Sequence, residues 1–70
     1  MMQYNDLSPR LEAIVDSATL FDVVEVLVGI CHGKAEHLRS DWQDERSART
    51  WERAAKTLDR ITANDAIRAV

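Results

Sequence analysis

Five basic residues, Arg46, Arg49, Arg53, Lys56 and Arg60, recur at intervals of three, four, three and four. On a helix that spacing keeps them on one face. A row of aligned cations can follow a phosphate backbone, so these residues form a candidate nucleic-acid surface. The same segment carries a parallel acidic row, Glu45, Glu52 and Asp59. Glu45–Arg49 and Glu52–Lys56 stand at i,i+4, where each pair is worth a few tenths of a kcal/mol. The pattern therefore predicts a solvated face whose acids blunt its attraction for phosphate. Trp42, close to Arg46, offers an aromatic plate on which a base could stack. The competing expectation for Trp42 is a ring packed against the end of a hairpin.

Gly29 and Gly33 interrupt an otherwise helical stretch, and each costs roughly 1 kcal/mol relative to alanine inside a helix. They fall on a narrow polar face with Asp22, Glu25, His32 and Glu36. Small residues rimmed by acids would let the backbone of a basic partner approach closely. The plainer expectation is that Gly33 ends or kinks the helix and Gly29 is tolerated.

Metal and nucleophile chemistry finds little support. His32 and His37 are five apart, about 140° round a helix, so one metal cannot be held by both. His32 and Glu36 could share a metal only with ligands from a neighbouring helix. Cys31 is the only cysteine. It lies within an apolar seam and is expected as a buried, inert thiol that could at most meet its own copy across a dimer. No phosphate loop, serine elbow, catalytic carboxylate pair or zincin motif occurs. No cofactor or metal is expected, and the chain does not read as an enzyme.

Seventy residues make one small domain. A core of that size rarely supplies more than about 3–5 kcal/mol unaided, and small scaffolds add disulfides, a metal or oligomerisation. With one cysteine and two histidines, oligomerisation is the stabiliser left. The net charge of −3 argues against a general nucleic-acid binder. The opening Met-Met-Gln-Tyr-Asn-Asp does not resemble a secretory signal, and the apolar run from residue 20 to 31 is short and contains Asp22 and Glu25. A cytoplasmic protein without a membrane partner is expected.

Scarce glycine and proline, with no strand-like alternation, predict an all-α chain. Ser8-Pro9 reads as the start of a short helix over about 9–16. Thr19 and Asp22 have capping-box spacing and open a second helix over about 20–38. A reversal between residues 39 and 47 leads to a third helix over about 42–62, whose stripe includes Ala48, Trp51, Ala55, Leu58 and Ile61. Asn64-Asp65 either caps a last turn or lies in a frayed continuation. The two long helices are expected to lie antiparallel.

The decisive feature is the second helix. Its apolar residues span an arc of about 220°, where a surface helix needs roughly 100°. Phe21, Val23, Val26 and Ile30 are therefore expected at a two-fold interface, with two hairpins forming a four-helix bundle. The functional expectation is a homodimeric, protein-binding regulator, inhibitor or adaptor that docks on a larger protein. Such small acidic proteins are common among phage and mobile-element modulators. The alternative is an RNA- or DNA-binding dimer using the basic row. The expected architecture is similar in shape to the small plasmid RNA-binding Rop proteins, without a shared motif.

Overall fold

The computed structural model describes residues 4–70, which form four helices in chain order. They are α1 (Tyr4–Ser17), α2 (Leu20–Asp41), α3 (Glu45–Thr62) and α4 (Asp65–Ala69). α2 and α3 pack along their lengths as a hairpin, while α1 and α4 touch it lightly. The all-helical expectation and the hairpin both hold.

Helix ends follow local chemistry. Thr19 is extended, and its hydroxyl accepts the N–H of Asp22 at 3.0 Å, capping α2. Asp44 caps α3 by accepting the N–H of Ser47 at 3.1 Å. Asn64 caps α4 by accepting the N–H of Ala66 at 2.9 Å.

Three boundaries differ from expectation, one of them the end of α2, which runs to Asp41 rather than to about 38. α1 begins before Pro9, which lies inside the helix. The ring removes one early N–H, and an exposed first stretch tolerates that loss. The third helix starts at Glu45 rather than near residue 42, because Gln43 has φ 50° and breaks the helical path. Trp42 thus ends α2, and the Asp44 N–H reaches back to the Leu38 carbonyl at 2.9 Å to close the turn.

The hairpin seam is built from small side chains. Val24, Cys31 and Ala35 of α2 and Ala48, Ala55 and Thr62 of α3 are the buried positions, and Val24 is the largest of them. Heptad spacing at 48, 55 and 62 keeps one narrow line facing the partner helix. The bulkier apolar residues lie outside that line.

The molecule is consequently a single layer, 38 × 30 × 15 Å. Its radius of gyration is 14.0 Å, against about 11 Å for a compact chain of this length. Its accessible surface is 5711 Å², whereas a folded chain of 8.0 kDa is expected to expose about 4,450 Å². Domains normally bury their apolar stripes between two layers. Here one layer is present.

Candidate functional site

The surplus surface is concentrated where α1 leaves α2. Leu11, Ile14 and Ala18 form one wall of an open groove, and Val23, Val26, Leu27 and Ile30 form the other. Asp22 stands at its edge. Ile14 is 51% exposed, Val26 62% and Ile30 48%. Each would forfeit roughly 1–2 kcal/mol of burial free energy in that state, by area.

α3 extends this apolar side. The ion pair of Arg39 with Glu45 and Glu52 spans one edge of the hairpin. On helical wheels, Val23 and Leu27 point away from Arg39, and Trp51, Leu58 and Ile61 point away from Glu45 and Glu52. These apolar side chains therefore share the opposite side of the layer. Trp51, whose place on the apolar stripe predicts a core position, is 37% exposed there.

Of the four residues expected at a pairing interface, Val23, Val26 and Ile30 line the groove and Phe21 does not. Phe21 lies on the far side of α2, half-buried, with the Arg68 guanidinium 5.1 Å from its ring centre. That cation–π contact, and the bond from Arg68 Nε to the Thr62 carbonyl at 3.1 Å, tie α4 to the hairpin. Leu11 and Ile14 form the apolar face of the first helix, as their spacing predicts, and Leu27, expected in the seam of the second helix, lines the groove as well. The 3.6-residue rhythm of Leu7, Leu11 and Ile14 carries the signal for the first two.

The basic row lies on the outer face of α3, all five members exposed. Arg49 Nε bonds Glu45 at 3.2 Å. Arg46, Arg53, Lys56 and Arg60 have no ion-pair partner among the described residues. The expected Glu52–Lys56 pair is replaced by the contact of Glu52 with Arg39. Arg39 holds Glu45 through Nε–Oε2 at 2.7 Å and Nη2–Oε1 at 3.0 Å. These bonds keep the Glu45 carboxyl below the usual range, with Arg49 helping, and raise the Arg39 guanidinium further.

Trp42 is 70% exposed, so the expected packing against the hairpin end is not found. Its indole N–H donates to His37 Nε2 at 3.2 Å, and His37 Nδ1 lies 2.8 Å from Asp41. An acceptor at Nε2 places the imidazole proton on Nδ1, facing the carboxylate.

Gly29 and Gly33 lie inside an α2 that runs unbroken to Asp41, so Gly33 does not end it. A Cβ added at either would meet nothing within 4 Å. Glu25 and Glu36, on the same polar face, are exposed. Cys31 is buried in the seam and does not line the groove. Among the described residues no group of three or more potential ligands could hold a metal, and no helix is long and apolar enough to cross a membrane.

Comparison with protein-family models, with curated proteins and with solved structures finds no match.

Proposed function

We propose that this chain is a self-associating helical module that acts as a protein-binding regulator or adaptor rather than as an enzyme. Two copies meet apolar side to apolar side, burying the groove of Leu11, Ile14, Val23, Val26, Leu27 and Ile30 together with Trp51 and Ile61. The product is a helical bundle whose second layer is a second copy.

One observation carries the reading. The excess surface is on the order of 1,250 Å² per chain, more than the roughly 800 Å² each partner contributes to a standard interface. A two-fold arrangement matches an apolar side to itself without a second protein. The acidic face of Glu25 and Glu36, with Gly29 and Gly33 open beside it and Asp22 at its border with the groove, then remains available to a larger, basic protein partner.

Molar mass in solution tests this. Light scattering should return about twice the 8.0 kDa chain mass. Val26→Asp with Ile30→Asp should shift the material toward monomer and lower its melting temperature. A well-ordered monomer at high concentration would overturn the reading. A fixed complex with a different protein predicts instead that the isolated chain is molten or aggregates.

A further inference from the structure

We infer that the outer face of α3 binds the phosphodiester backbone of duplex nucleic acid, independently of base sequence. Arg46, Arg49, Arg53, Lys56 and Arg60, with Thr50 and Thr57, occupy a continuous arc of about 120° that contains no acid and no apolar side chain. The row covers about 21 Å of helix axis. Every acid of α3, Glu45, Glu52 and Asp59, falls to one side of this arc, toward α2. Two of the three are occupied by Arg39 across the turn. Glu52 is thus drawn away from the row, while Glu45 is shared between Arg39 and Arg49.

The composition of the arc selects the partner. Four of its five cations are arginines, whose planar fork matches two phosphate oxygens at once. Guanidinium groups are among the usual backbone contacts in protein–nucleic acid complexes, whereas the Thr50 and Thr57 hydroxyls donate to the Arg46 and Arg53 carbonyls at 3.2 and 3.0 Å. A protein partner would need an apolar or aromatic centre on this face, which is absent. A bilayer would need apolar side chains flanking the cations, and those of α3 point into the hairpin or to its other side. The row shares no residue with the groove, and Arg60 is its member that neighbours Ile61 of the pairing side.

Fluorescence anisotropy with short labelled DNA and RNA duplexes tests it, with DNA and RNA as separate arms. Four or five phosphate contacts predict an affinity loss on the order of 10²–10³ between about 50 and 200 mM salt. Arg49→Glu with Arg53→Glu should weaken binding at least about tenfold and flatten the salt dependence by about two contacts. Arg53→Glu should weaken binding more than the equal charge change Arg10→Glu on α1, with helicity unchanged in both. No binding at low salt, equal effects of the two single variants, or equally tight binding to polyglutamate or to anionic vesicles would overturn the assignment.

Discussion

Arg39 near the end of α2 grips Glu45 in the first turn of α3 with two parallel guanidinium–carboxylate bonds, at 2.7 and 3.0 Å. The same guanidinium reaches Glu52 two turns further on. This fork spans the chain reversal and links one helix to the other. It also decides which acids remain beside the basic row.

Acid should loosen the turn. The Glu45 carboxyl is held low chiefly by Arg39, and that of Asp44 chiefly by the Ser47 N–H. The unfolded chain takes up protons on these groups from about pH 4–4.5 downward, while the folded chain resists. The unfolded state then binds more protons, so stability falls as pH falls through that window and is level above about pH 5. Glu45→Gln should lower the melting temperature on the plateau and flatten the acid limb. An unchanged acid limb in thermal melts would contradict this account.

Gln43 holds a left-handed backbone conformation without being glycine. That conformation costs a side-chain-bearing residue about 1 kcal/mol or more, partly offset by the entropy glycine loses on folding. Gln43→Gly should therefore stabilise the hairpin by about 0.5–1 kcal/mol, read as a higher urea midpoint at constant slope. A lower midpoint would mean that the glutamine side chain contributes something the backbone argument omits.

Gly29→Ala and Gly33→Ala should each raise helix stability by up to about 1 kcal/mol, since a Cβ meets open space at both sites. The informative comparison is between stability and association. Variants that melt higher yet pair less well would show that a partner backbone approaches these glycines. Variants that gain in both leave the glycines as a tolerated cost.

The Cys31 thiol is buried between α2 and α3. Its modification by a thiol reagent should be slow in native buffer and should accelerate steeply with urea, because the hairpin must open first. Oxidation should not cross-link two copies without such opening. Labelling of native protein at the rate of the denatured chain would place the thiol outside the seam.

Relations set by neighbours in sequence or by helical period are legible in the residues, and the polar side-chain partners across the turn are not. The Thr19 cap, the Asn64 cap and the seam of Cys31 and Ala35 with Ala48 and Ala55 depend on neighbours in sequence or on helical period. The surplus apolar face around Val23, Val26 and Ile30 was legible for the same reason. Phe21 falls outside the groove, with a neighbour, Arg68, that lies 47 positions away by residue number. Glu52 was assigned to Lys56 because i,i+4 spacing says nothing of Arg39 on another helix. Trp42 was expected to pack because nothing in its neighbours announces that Gln43 takes a positive φ. Pro9 was read as a helix start, and an exposed α1 accommodates it inside.

A layer 15 Å thick encloses only a narrow seam, and that has a consequence for dosage. Whatever molecule shields its oily side stabilises the folded form by mass action, to a degree that grows with the supply of that shield. The survival of this chain against proteases should accordingly track how much of its cover is made alongside it.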